Sequence, residues 1–168
     1  MMTPSRQTLI ITSPFIPAFP YVESMKTFAS LFLLVFCFIA SAQDKSVFTD
    51  KDGAIRGYDP VAYFEQGEPV KGQESVTYKW NGANWYFSSQ ENLEAFKADP
   101  EKFAPQFGGY CAYAVGNGYT YESDPNAWKI VDGKLYLNYS KGVQKKWEAN
   151  QAEFIKKAEE NWPKVIKE

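Results

Sequence analysis

The sequence predicts an α+β domain, a small and mostly antiparallel sheet of β-hairpins packed against a long C-terminal helix. Three observations carry that prediction. Two runs of strand-forming residues are each split by a tight-turn signal, Asn81-Gly82 and Asp132-Gly133. Beyond Ser140, the residues Val143, Trp147, Phe154, Ala158 and Trp162 follow one another at spacings of four, seven, four and four, which is one apolar stripe of a helix. Between these, Asp59-Pro60 and Asp99-Pro100 pair a capping side chain with a proline suited to a first helical position.

Taken in order, Gly57-Tyr58-Asp59-Pro60 opens a helical turn through Val61, Ala62, Tyr63 and Phe64, and Gly67 and Pro69 end it. Residues 76–80 alternate apolar and polar as a half-buried strand does. Residues 85–87 form its partner across the Asn81-Gly82-Ala83-Asn84 link. Ser88-x-x-Glu91 reads as a capping box that starts a helix with Leu93 and Phe96 on one face. Asp99-Pro100 stops it and begins a short turn over 101–104.

The apolar stretch 108–115 is entered through Gly108-Gly109 and closed by Gly116-Asn117-Gly118. The glycine pair either permits a positive-φ turn into a packed strand or lets the backbone approach a ligand. Asp124-Pro125 repeats the cap-and-proline pattern. Strands over 128–131 and 134–139 then flank Asp132-Gly133, and Ser140 caps a helix running to about residue 160. Lys145, Lys146, Lys156 and Lys157 fall off its apolar stripe and form a solvated face.

The first 42 residues are set apart. Met25-Lys26, an apolar run over 28–40 and the small residues Ala40-Ser41-Ala42 read as a signal peptide over 25–42, too short to span a bilayer comfortably. Pro4, Pro14, Pro17 and Pro20 break any helix in residues 1–24, which read as an extension ahead of the true start. The expected product is an exported, periplasmic or secreted domain over 43–168, with no stable membrane insertion after cleavage. Cleavage removes Arg6, Lys26 and Glu23 and leaves a net charge of about −3, with both signs interspersed. That argues against nucleic acid, which needs a basic face.

Two absences bound the chemistry. The chain has no histidine, which excludes Ser-His-Asp and Cys-His catalysis and imidazole-ligated metals. Of its two cysteines only Cys111 follows the leader, so an intramolecular disulfide is excluded although the compartment allows one. The core must therefore rest on burial, and all five tryptophans lie after the leader.

Tyr78-x-Trp80-x-Gly82-x-x-Trp85-Tyr86-Phe87-Ser88-Ser89, continuing through Phe96 to Asp99-Pro100-Glu101-Lys102-Phe103, resembles the YHS domain. Gly57-Tyr58-Asp59-Pro60-Val61-Ala62-Tyr63-Phe64, Gly108-Gly109-Tyr110-Cys111-Ala112 and Asp132-Gly133-Lys134-Leu135-Tyr136-Leu137-Asn138 are similar to the exported, stand-alone branch of that family. The resemblance implies a hairpin-and-helix core related to treble-clef metal-binding modules, and a link to copper or another transition metal. Metal-associated members carry one cysteine after the strand's phenylalanine and another four residues on. Those positions here are Ser88 and Asn92, neither of which supplies the thiolate that soft metals require.

Three functional readings follow. The first is a non-catalytic binding or accessory module for a metal ion or small ligand, or for a protein partner. Its expected site is Cys111 with Gly108, Gly109, Tyr110 and Tyr113, together with Asp59 and Trp128, and Cys111 is its one candidate metal ligand. The tyrosines and tryptophans around 110–128 suit a flat or apolar ligand. The second makes Cys111 a redox or sensing thiol. The third leaves Cys111 inert among Ala112, Ala114 and Val115 in a structural or partner-binding domain. Asp59, Asp99 and Asp124 all precede prolines and read as caps before they read as acid–base groups.

Overall fold

Asn81 and Gly82 both adopt left-handed backbone angles, φ 49° and 77°, and so do Asp132 and Gly133, at 50° and 75°. This is the type I′ geometry whose twist matches that of paired strands. The computed structural model describes residues 46–167; the expected leader, the 1–24 extension and the cleavage point before Gln43 lie outside them. Within these residues the α+β class holds, and the strands form three antiparallel two-stranded sheets.

The smallest pairs β1 (Thr49–Asp50) with β2 (Gly53–Ala54). The second pairs β3 (Gln73–Trp80) with β4 (Ala83–Phe87). Trp80 sits opposite Ala83, so the loop is two residues rather than the four expected. Alternation along β4 buries Ala83, Trp85 and Phe87. Helix α1 (Ala62–Glu65) precedes this hairpin and helix α2 (Gln90–Ala98) follows it. Phe96 of α2 sets its ring 5.6, 5.3 and 5.2 Å from Trp80, Trp85 and Phe87, which closes the hairpin's apolar face.

The cap of α2 is Ser89, whose hydroxyl accepts from Asn92 N–H at 3.1 Å, and not the expected Ser88. Ser88 is instead turned toward Asp59, to which both its amide and its hydroxyl donate. Asp99 caps α3 (Pro100–Phe103) as expected, accepting from Lys102 N–H.

Residues 108–115 correct the strand expectation. A 3-10 turn, Gln106–Gly109, leads to a single parallel bridge from Cys111 to Leu137, and the chain then coils as α4 (Ala112–Gly116). An alanine-rich run has no strong strand preference, and coiling buries Ala112, Ala114, Val115 and Gly116 together. Asp124 also departs from expectation. It caps no helix; its carboxylate accepts from Asn126 N–H, a local turn at the start of β5 (Asp124–Val131). That strand pairs with β6 (Lys134–Asn138).

Ser140 does cap the C-terminal helical segment, accepting from Val143 N–H. The segment is two helices, α5 (Lys141–Ala149) and α6 (Gln151–Val165), broken at Asn150, where φ is −136° and ψ 44°. The break serves two packing duties. Trp147 of α5 lies on Tyr136 at 5.4 Å, while Phe154 of α6 lies on Tyr113 at 4.7 Å.

Two apolar clusters result. One gathers Trp85, Phe87, Phe96 and their neighbours; the other gathers Phe107, Val115, Trp147 and Ala158. Strand β6 belongs to both. Leu135 and Leu137 point into the first and Tyr136 into the second, as period-two alternation requires.

Candidate functional site

Among the described residues only three large apolar side chains are exposed: Tyr119, Tyr121 and Tyr139, at 50, 49 and 44%. All three line one pocket of about 300 Å³, completed by Cys111, Tyr113, Ala114 and Val143. Tyr121 and Tyr139 meet edge to face, with centroids 5.1 Å apart and planes at 74°, the arrangement the aromatic quadrupole favours. No lining side chain carries a permanent charge.

The pocket's outer wall, residues 119–123, is tied down along its length. Tyr119 N–H donates to Ala114 O at 3.2 Å, and Cys111 N–H donates to Tyr121 O at 2.9 Å. The buried Ser123 hydroxyl donates to Gly109 O at 2.7 Å. Arg56 reaches over from the N-terminal side, bonding Ser123 O through Nε and pairing with Glu122 and Asp50. Such a wall keeps its shape without a ligand, which reduces the ordering cost of binding.

Cys111 is 1% exposed and lies at the pocket's floor. Its sulfur accepts from Tyr139 N–H at 3.2 Å and stands 3.9 Å from Asn138 Oδ1. Burial pushes the thiol above its ordinary pKa, and nearby backbone N–H groups of Ala114, Tyr139 and Tyr113 offset this only in part. At neutral pH it is a thiol, a poor nucleophile and a poor metal ligand.

The expected site residues divide. Cys111 and Tyr113 meet in the pocket. Tyr110 packs between Phe48 and Trp162, at 5.6 and 6.0 Å. Trp128 meets Tyr63 edge to face at 5.2 Å in the first cluster. Gly108 and Gly109 serve close packing: an added Cβ would lie 1.8 Å from Ser46 O at the first and 2.7 Å from Ile55 Cγ2 at the second. Sequence reasoning passed over Val143 and Tyr139. Tyr119 and Tyr121 fall in the aromatic stretch 110–128 expected to suit a flat or apolar ligand, and both line the pocket.

Asp59 lies elsewhere, fully buried, where the β3–β4 hairpin meets α2. Its Oδ1 accepts from Val61 N–H at 2.9 Å and Ala62 N–H at 3.4 Å. Its Oδ2 accepts from Ser88 N–H at 2.8 Å, Ser88 Oγ–H at 2.7 Å and Asn92 Nδ2–H at 2.6 Å. Asp59 therefore holds the turn that leads into α1, whose N-cap position is Val61, and is also the centre of a wider network.

Neither place suits the metal that the resemblance implies. At Cys111 the neighbours are an amide, a backbone N–H and phenols. At Ser88 and Asn92 the carboxylate oxygens face N–H groups, three of them on the backbone and unable to turn away. A cation bound there would sit against those positive ends. Among the described residues, no group of three or more His, Cys, Asp or Glu side chains is arranged to hold a metal ion.

Compared with known proteins, residues 61–107 match the family model of the YHS domain. No curated protein and no solved structure matches the chain. The matched span contains Ser88 and Asn92 and stops short of every residue lining the tyrosine pocket.

Proposed function

The chain carries a YHS domain over residues 61–107, and from that premise we propose that it is an exported, non-catalytic binding module whose tyrosine pocket takes a small, uncharged, flat ligand. The carrying observation is the convergence of Tyr119, Tyr121 and Tyr139, the exposed large apolar side chains of the described residues, on one pocket. Exposed aromatics gathered in a concavity mark a contact surface, whereas scattered ones need no explanation.

The lining sets the ligand's character. A pocket of about 300 Å³ sits at the small end of ligand sites, enough for one or two fused rings. It offers an anion no positive charge and a cation no carboxylate, so a neutral molecule loses least on entry. Each ring contact adds about 0.5–1.5 kcal/mol beyond area burial. Catalysis is disfavoured because the lining supplies only phenols and a thiol held protonated. The same protonation weighs against a redox thiol at Cys111.

The test is a titration of the mature protein with uncharged mono- and bicyclic aromatics and their carboxylate and ammonium analogues, followed by NMR shifts. Saturable shifts at Tyr119, Tyr121 and Tyr139, strongest for neutral probes, are expected. Tyr121→Ala and Tyr139→Ala should each weaken binding roughly 10-fold, about 1.4 kcal/mol. Absence of saturable shifts across the panel would sink the reading. Sequencing the mature N-terminus tests export, with a start at Gln43 expected.

A further inference from the structure

Asp59 is a buried carboxylate with no lysine or arginine pairing with it among the described residues. A buried charge persists only where its environment replaces the water it has lost. Here five donors do so, and they come from three places in the chain. Val61 and Ala62 are local, Ser88 is 29 residues away at the end of β4, and Asn92 is 33 residues away in the first turn of α2. Asn92 Nδ2 also donates to Ser88 Oγ at 3.2 Å, which joins the two partners to each other. Donors therefore surround both carboxylate oxygens.

The network ties the end of β4 to the first turn of α2, the two points at which the resemblance implies cysteines in metal-associated members. Two thiolates there could be drawn together around a soft cation. This chain presents hydrogen-bond donors around an anion, so the polarity is reversed. The anion arrives from Gly57-Tyr58-Asp59-Pro60, just ahead of the matched span, and Asp59 N–H is itself held by Val70 O at 2.8 Å.

We infer that the Asp59 carboxylate is this chain's built-in substitute for a metal ion: it clamps hairpin to helix through Ser88 and Asn92 and makes the fold independent of metal. Charge-assisted hydrogen bonds are the strong class, and a carboxylate surrounded by fixed N–H groups leaves no lone pair open to a cation.

The experiment is thermal unfolding of the mature protein and of Asp59→Asn, Ser88→Ala, Asn92→Ala and the Asp59→Asn/Ser88→Ala pair. Each is measured with EDTA, with Zn²⁺ and with Cu(I). The native protein should melt at one temperature in all three conditions. Asp59→Asn turns an amide N–H₂ toward donors and should lower Tm by roughly 10 °C. Ser88→Ala and Asn92→Ala should each lower it by roughly 4 °C. The paired variant should lose clearly less than the sum of its singles, because both act on one carboxylate. If Asp59→Asn fails to fold, the smaller losses in the other two singles and metal-independent melting of the native protein carry the result. Three outcomes would overturn the inference: a native Tm raised by Zn²⁺ or Cu(I) or lowered by EDTA, an Asp59→Asn variant that melts like the native protein, or additive losses in the pair.

Discussion

Two helical glycines should respond to alanine with opposite sign. At Gly116, the last residue of α4, an added Cβ would lie 2.9 Å from Phe154 Cδ1 and 3.1 Å from Phe154 O. At Gly142, in the first turn of α5, it would meet only Ser140 Oγ, at 3.9 Å. Both sites gain from alanine's helix preference, by up to about 1 kcal/mol in a helix interior and less near an end. Gly142→Ala keeps that gain and should raise Tm by roughly 2–4 °C for a domain of this size.

Gly116→Ala must also push α6 away, and its obstacle is partly backbone, which cannot rotate aside. Overpacking of this kind costs about 1–3 kcal/mol. The net is a loss of about 1–2 kcal/mol, a Tm lower by roughly 3–8 °C. There is a functional consequence, because Phe154 also stacks on Tyr113 at 4.7 Å and Tyr113 lines the pocket. Gly116→Ala should therefore weaken aromatic binding where Gly142→Ala leaves it unchanged. Circular-dichroism melts of the two variants decide the matter. A stabilised Gly116→Ala would refute the packing of α4 on α6 described above.

Cys111 should react with a disulfide reagent at neutral pH at least roughly 100-fold more slowly in native than in denatured protein, and faster as pH rises toward its elevated pKa; equal rates would contradict its burial. Tyr63 is buried, donates to Pro125 O at 3.0 Å, and is held far above the ordinary tyrosine pKa chiefly by desolvation. Its folded pKa exceeds its unfolded one, so its contribution is complete below about pH 10 and falls as pH rises beyond. Tyr63→Phe should accordingly flatten the alkaline limb of the stability–pH curve while costing about 1 kcal/mol at neutral pH, and an unchanged limb would count against that assignment. Phe96→Ala removes the ring that meets Trp80, Trp85 and Phe87 and should cost about 3–5 kcal/mol in denaturant unfolding; a loss below about 1 kcal/mol would mean that the first cluster is packed otherwise.

Features decided locally were legible in the sequence. Asn81-Gly82 and Asp132-Gly133 specify their turns through backbone angles those residues tolerate, and Asp99 and Ser140 cap helices within three residues of themselves. What escaped was decided by distant partners. Ser88 reads as a cap, but its side chain turns to Asp59, 29 residues away, and Ser89 caps instead. The run 112–115 is apolar without period, so strand and helix were open until α6 supplied a face to bury it against. The break at Asn150 carries no proline or glycine. The site was half legible: Cys111 and Tyr113 stood out, but Tyr139 reaches Tyr121 only because β5 and β6 fold back on one another.

The double membership of β6 bears on what counts as a transferable part. Leu135 and Leu137 fill a cluster whose other buried members lie within residues 47–104, while Phe107, at the end of the matched span, already belongs to the other cluster. A fusion or excision cut at the limits of the YHS match would pull two fully buried leucines out of the hairpin's own core and leave a hole where they had been. The smallest piece that could be grafted into another polypeptide therefore runs through both clusters and takes the tyrosine pocket with it. Inheritance of this YHS core by recombination would carry the tyrosine pocket along as a passenger.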